Sequence, residues 1–178
     1  MPLGSAEALA LAGMMGSGKS TVAAALSRLL GRRVVGTDAE VERRAGKPIA
    51  RIFAEDGEPA FRELERVVVA SLTGPVVIDL GGGAFCDAAS AEHLLQVARV
   101  VFLDVSAAEA RRRMGEGAAR AARPLAAGWE ALLARRLPLY RRAHHTVPVD
   151  GLSSEAVARR IVGLVSAGEP GEPMWEGA

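Results

Sequence analysis

The nine residues Gly13-Met-Met-Gly16-Ser-Gly18-Lys19-Ser20-Thr21 fit the pattern G-x-x-x-x-G-K-[ST] at every fixed position. A small apolar stretch, Ala8 to Ala12, precedes them, and a helical run, Val22 to Leu30, follows. Strand, tight turn and helix in that order is the setting in which the pattern has physical meaning. Glycines let the backbone turn without Cβ atoms in the way, so successive N–H groups can point inward at phosphate oxygens. The helix adds unpaired N–H donors and the positive end of its dipole. In such a loop Lys19 reaches the β- and γ-phosphates and Ser20 offers its hydroxyl to Mg²⁺. Gly16, Ser17, Gly18, Lys19, Ser20 and Thr21 are therefore expected to hold a nucleoside triphosphate; the competing reading is a turn that is merely rich in glycine. The pattern leaves the acceptor of the phosphate open.

The rest of the chain narrows the class. Its 178 residues suffice for about one domain with a three-layer core. A formal charge of +1 and an apolar fraction of 49% argue against disorder and against a nucleic-acid partner. A single cysteine, Cys86, excludes an intrachain disulfide, fits a reducing cytosol and reads as a small buried filler. No signal-like segment and no run of 18 apolar residues occurs, so the expectation is a cytoplasmic protein with no membrane partner; nothing demands a second chain, and a monomer is expected.

In order, strands are expected at about 8–12, 34–35, 76–80, 100–103 and 146–149, alternating with helices. The run Val76 to Leu80 is continuous and β-branched, as a strand buried on both faces should be. In the helix from Lys19 to Leu30 the buried stripe is Val22, Leu26, Leu29 and Leu30. A longer helix, about 59–72, buries Phe61, Leu64, Val68 and Leu72 and turns Arg62, Glu63, Glu65 and Arg66 elsewhere. Asp104 and Ser106 are expected to cap the helix that carries Arg111, Arg112 and Arg113. His144 and His145 lack ligand-like spacing and belong to a strand edge, and Trp129 and Tyr140 read as packing residues near the acceptor side. The predicted fold is α/β, with three α/β/α layers around a five-stranded parallel sheet and ligands beyond the carboxyl ends of the strands. Residues 1–167 are expected to form one domain, with an insertion at about 38–72 and a lid at about 114–128, and residues 168–178 are expected to be a flexible tail.

Two features favour a small-molecule kinase over a GTPase or a DNA-handling ATPase. No guanine-reading N/T-K-x-D pattern is present, and the polar insertion is followed by a glycine run. Asp38 and Arg62 suggest an acceptor clamp, the carboxylate taking hydroxyl hydrogens and the guanidinium grasping an anion in a fork, though each alone also reads as a surface charge. Gly81, Gly82 and Gly83 lose much backbone entropy on folding and follow a strand end, which points to close approach by an acceptor rather than to a plain turn.

With these residues in view the chain resembles the shikimate kinase family, P-loop proteins of the nucleoside monophosphate kinase-like group. The resemblance covers about residues 8–165 and rests on GMMGSGKST at 13–21, TDAEVERRAGKPIARIF at 37–53, DGEPAFRELE at 56–65, LGGGAF at 80–85, ARP at 122–124 and RRLPLY at 135–140. It implies that Asp38, Arg62, Gly82, Gly83 and Arg136 hold shikimate, the carboxylate taking ring hydroxyls and the two arginines the acid group. It also implies that Arg123 is the lid arginine on the transferring phosphoryl group, and that one of Arg111, Arg112 and Arg113 stacks on adenine, Arg112 being the choice among them. The implied reaction is transfer from ATP to the 3-hydroxyl of shikimate, with Mg²⁺, Lys19, Asp38 and Arg123 at the reacting groups. A kinase for a related cyclitol or sugar acid, or a non-catalytic nucleotide-binding protein, are the alternatives.

The chain departs from the family pattern twice. Strand two of the family usually ends in Asp-x-Asp, and here the triplet is Gly36-Thr37-Asp38, so the first carboxylate is missing. Two residues before the triple glycine the family usually has a small or hydroxyl residue, and here stands Asp79. A carboxylate at the end of a buried strand beside a phosphate loop is where a metal-positioning aspartate sits. Asp79, with Ser20, is therefore the expected metal group; pairing with a nearby lysine or arginine is the other reading of it.

Overall fold

The computed structural model describes residues 3–115 and 128–167. The predicted lid, with Arg123, lies largely outside these residues, and the predicted tail lies wholly outside them. Five strands, β1 (Ala8–Ala12), β2 (Val34–Gly36), β3 (Val77–Asp79), β4 (Ala98–Asp104) and β5 (His145–Pro148), pair in the order β2-β3-β1-β4-β5, every pair parallel. All five residues of β1 are buried, which is why its sequence is continuously apolar rather than alternating.

The helices are α1 (Lys19–Leu30), α2 (Thr37–Ala45), α3 (Ile49–Glu55), α4 (Gly57–Ala70), α5 (Ala88–Val97), α6 (Ala107–Gly115), α7 (Trp129–Tyr140) and α8 (Ser154–Ala167). They cover the sheet in two outer layers. After β1 the chain crosses to β2 at one edge, and after β3 it crosses back over β1 to β4. The strand order reverses at the exit of β1, the crevice where doubly wound sheets bind ligands.

Several limits differ from expectation for local reasons. Helix α4 begins at Gly57, two residues early, because Pro59 falls in its first turn, where no N–H is needed. Ser106 alone caps α6, its hydroxyl accepting the Glu109 N–H at 3.2 Å; Asp104 closes β4 instead. Leu29 in α1 is 51% exposed, and the buried face is Val22, Ala23, Ala25 and Leu26. His145 opens the edge strand β5, and His144 Nδ1 accepts the Val100 N–H at 3.0 Å, closing an otherwise open ladder position.

The main core surrounds β1 and β4. A second, small cluster joins Val41, Ile52, Phe61 and Val68 from α2, α3 and α4. Fully burying an aliphatic side chain contributes roughly 1.5–3 kcal/mol, so this cluster gives the insertion its own local footing. Among the described residues no helix is long and apolar enough to cross a membrane.

Candidate active site

The loop after β1 uses its glycines as the motif demands. Gly13, Gly16 and Gly18 have φ of 151°, 85° and 85°, the region that side chains rarely adopt. Gly16 also makes room for α6: a Cβ there would lie 3.0 Å from the Ala110 carbonyl oxygen. Lys19 Nζ donates to the carbonyl oxygens of Gly13 at 2.8 Å and Met14 at 3.3 Å, so the ammonium arches back over the loop. Ser20 Oγ donates to Asp79 Oδ2 at 2.6 Å. Hydroxyl and carboxylate oxygens are the donors that suit Mg²⁺, which takes one or two protein ligands and completes its shell with phosphate and water. The residues present thus fit that ion, although the described residues hold no cluster of three acidic, histidine or cysteine side chains.

Beside the loop a cavity of about 330 Å³ is lined by Gly18, Thr21, Arg112, Arg113, Leu152 and Ser153, among others. Arg112 pairs with Glu109 at 2.8 Å. The Arg113 guanidinium reaches Glu109 at 2.7 Å, the Ser17 carbonyl at 3.1 Å and the Val149 carbonyl at 2.8 Å. A guanidinium held at its edges keeps its face open for a base, so among the three neighbouring arginines Arg113 stands beside Arg112 as the candidate.

On the other side of the loop the triple glycine gathers the expected clamp. A Cβ on Gly81 would fall 2.2 Å from Asp38 Oδ1, and one on Gly83 would fall 2.5 Å from an Arg62 guanidinium nitrogen. The Gly82 carbonyl accepts from an Arg136 guanidinium nitrogen at 2.9 Å and from the Tyr140 hydroxyl. Gly81 and Gly83 therefore admit the protein's own side chains, whereas a Cβ on Gly82 would meet nothing closer than an Arg136 guanidinium nitrogen at 3.7 Å. None of the three needs a left-handed backbone. Thr37, fully buried, fixes the arrangement from the β2 side by accepting the Gly81 N–H at 2.7 Å.

Helix α7 ties the two halves together. At its start the Trp129 indole donates to the Met15 carbonyl in the phosphate loop at 3.1 Å, so Trp129 packs on the donor side rather than the acceptor side. At its end Tyr140 stacks on Phe102, with centroids 5.0 Å apart, and meets Gly82. Burial pushes the Tyr140 phenol well above its usual range, so it stays a donor.

Glu65 is the residue that sequence reasoning missed. It is 2% exposed, accepts from Arg62 at 2.7 Å, and its Oε1 has no hydrogen-bond partner among the described residues. Arg62 also meets Glu58 at 3.1 Å and lies 5.1 Å from the Phe61 ring centroid. Burial pushes the Glu65 carboxyl up, against the pull of Arg62, with Asp38 and Asp87 adding to the rise. The folded state then holds a proton that the unfolded chain has already released, so stability falls as pH rises through that window. Relative to Glu65→Gln, the parent is expected to lose stability as pH rises above the ordinary glutamate range; thermal melts of both from acid to neutral pH check it, and parallel profiles would contradict it.

Comparison with known proteins settles the kinship. A sequence model described as "Shikimate kinase" matches residues 15–166. The chain belongs to the shikimate kinase family. It is 46% identical over 167 residues to a shikimate kinase of Mycobacterium avium, spanning 88% of this chain and 92% of that protein. It is 45% identical over 159 residues to one of Thermobifida fusca, spanning 85% and 90%. A solved shikimate kinase from Acinetobacter baumannii in complex with shikimate matches the fold with a TM-score of 0.82 at 34% identity, covering 90% of this chain and 93% of that one. The chain is thus an ATP-dependent small-molecule kinase with the three-layer fold of its relatives, and kinases of this fold use ATP with Mg²⁺.

Proposed function

We propose that this kinase transfers the γ-phosphoryl group of ATP to the 3-hydroxyl of shikimate, giving ADP and shikimate 3-phosphate. One observation carries the reading: Asp38, Arg62 and Arg136 converge on three consecutive glycines next to a phosphate loop. Two cationic forks and one carboxylate suit a small, carboxylated, polyhydroxylated acceptor. The A. baumannii relative in complex with shikimate supports the same choice.

In this reading Arg62 and Arg136 hold the acceptor's carboxylate, while Asp38 orients the reacting hydroxyl and takes its proton as the new O–P bond forms. Lys19, moving from its two loop carbonyls onto the β- and γ-phosphates, offsets charge on the transferring group. Mg²⁺ bound with ATP, held by Ser20, supplies further charge compensation on the phosphates. Gly16, Ser17, Gly18 and Thr21 present the loop and helix start to the phosphates, and Arg112, beside Arg113, stacks on the adenine. Arg123, within the ARP segment, acts from the lid. Residues 38–72 are the acceptor-binding part of one kinase unit. A cytoplasmic monomer is part of the reading, since every group it uses comes from one chain.

Incubating the protein with Mg-ATP and, separately, shikimate, quinate and sugar acids, with the products identified, tests the assignment. Shikimate 3-phosphate is the expected main product. Preferential phosphorylation of another acid would overturn it.

A further inference from the structure

At the carboxyl end of the sheet, the two strands flanking the phosphate loop on its β2 side end in a register pair, Gly36 on β2 and Asp79 on β3. Paired residues of neighbouring parallel strands point to the same face, with the strands about 4.8 Å apart. A side chain at 36 would thus emerge on the face from which Asp79 reaches Ser20. Gly36 itself has no backbone reason to be glycine: its φ of −87° and ψ of 122° suit any residue. A Cβ there would meet nothing closer than the Ala39 Cβ at 3.9 Å. One of two register-paired positions therefore carries a carboxylate, and the other is sterically open to one.

The bond between Asp79 and Ser20 has a direction with chemical meaning. The hydroxyl proton points at Asp79 Oδ2, so the oxygen's lone pairs are left for another partner. A carboxylate accepting that proton also makes the hydroxyl oxygen a better ligand, as carboxylates do when they back a metal-binding side chain. We propose that Asp79 is the carboxylate that secures the nucleotide's Mg²⁺ against Ser20, and that Gly36 is a position from which the same function can be exerted. The inference rests on the ATP half of the proposed function and is independent of the acceptor.

The test is therefore made without any acceptor. ADP binding is measured by calorimetry with saturating Mg²⁺ and again in excess EDTA, and Mn²⁺ affinity of the protein–ADP complex is read by electron paramagnetic resonance. Asp79→Asn keeps an oxygen that accepts from Ser20 and removes only the charge. It is expected to weaken Mn²⁺ binding, and the Mg²⁺ enhancement of ADP binding, by about 10–100-fold. ADP binding in EDTA should hold or tighten, because a negative charge beside the phosphates is gone. In Gly36→Asp/Asp79→Asn the metal dependence should return. Thermal melts establish that each variant is folded, and Asp79→Ser serves in place of the asparagine if that protein is not. A full Mg²⁺ enhancement in the folded single variant would overturn the proposal. An equal loss with and without metal would make Asp79 only a brace for the loop, and no recovery in the double variant would overturn the equivalence of the two positions. Loss of shikimate phosphorylation alone would bear on the acceptor reading and leave this one standing.

Discussion

Lys19→Ala is expected to lower kcat by about 10²–10³-fold, the range found when a single donor to developing transition-state charge is removed. The side chain leaves the first turn of α1 and lies against two carbonyl oxygens of its own loop, at 2.8 and 3.3 Å. Those bonds hold the ammonium at the mouth of the loop, so little reorganisation separates the resting state from one in which it meets phosphate oxygens. The loop does not depend on it. Ser17 N–H donates to the Met14 carbonyl at 3.2 Å and Val22 N–H to the Gly18 carbonyl at 3.0 Å, and the glycines supply the rest of the turn. Thermal stability should therefore stay close to that of the parent. Lys19→Arg should also be impaired, because a planar fork cannot occupy the space of a compact point charge. Steady-state kinetics with ATP and shikimate, together with melts, check both variants; an unchanged kcat for the alanine would remove Lys19 from the transferring group.

The phosphate loop was legible because its constraints are local: three special backbone positions and one lysine at fixed spacing describe a single turn. The proposed acceptor clamp is spread from Asp38 to Arg136, and its assembly depends on tertiary packing that no local pattern encodes. The glycine run shows the difference. Its sequence announced close approach, but only the structure shows that Asp38 and Arg62 are the approaching groups. The apolar pattern turns Glu65 away from the buried side of its helix, yet Phe61, Glu65 and Val68 follow helical spacing and all three are buried. That interruption of an apolar stripe, three residues after an arginine, was the available signal. Leu29 failed in the opposite sense. The buried places in α1 went to Ala23 and Ala25, whose small side chains allow close packing, and hydrophobicity alone does not reveal that. Asp79 was conspicuous only against the family pattern, and its meeting with Ser20 needed the pairing of β3 beside β1.

Arg62→Ala and Gly83→Ala should damage acceptor use by the same route, and comparing them separates loss of the cation from its displacement. Removing Arg62 deletes two charge-assisted bonds to the acceptor, each worth about 1.5–3 kcal/mol, so kcat/KM for shikimate should fall by ~10²–10⁴-fold. It also leaves Glu65 buried without its cation, so some loss of thermal stability should accompany it. Gly83→Ala reaches the guanidinium without touching that charge. Gly83 has a φ of −106° and ψ of −16°, which alanine adopts freely, so the backbone accepts the change. The new Cβ, however, would sit 2.5 Å from one Arg62 nitrogen and 3.1 Å from its Cζ, and the flexible side chain must move away. Displaced from the glycine turn, Arg62 would leave the place from which it is proposed to grip the acceptor, and kcat/KM for shikimate should drop by about 10–100-fold, on the scale set by misplacing a positioning group. The nitrogen that must move is the one that donates to buried Glu65, so some thermal stability should be lost here too, less than in Arg62→Ala because the cation stays nearby. ATP affinity, measured without acceptor, should hardly change in either variant. Because both act through one guanidinium, the double variant should be little worse than Arg62→Ala alone. Additive losses would mean that Gly83 meets the acceptor directly, and an equal loss of ATP binding would break the division between the donor loop and the acceptor clamp.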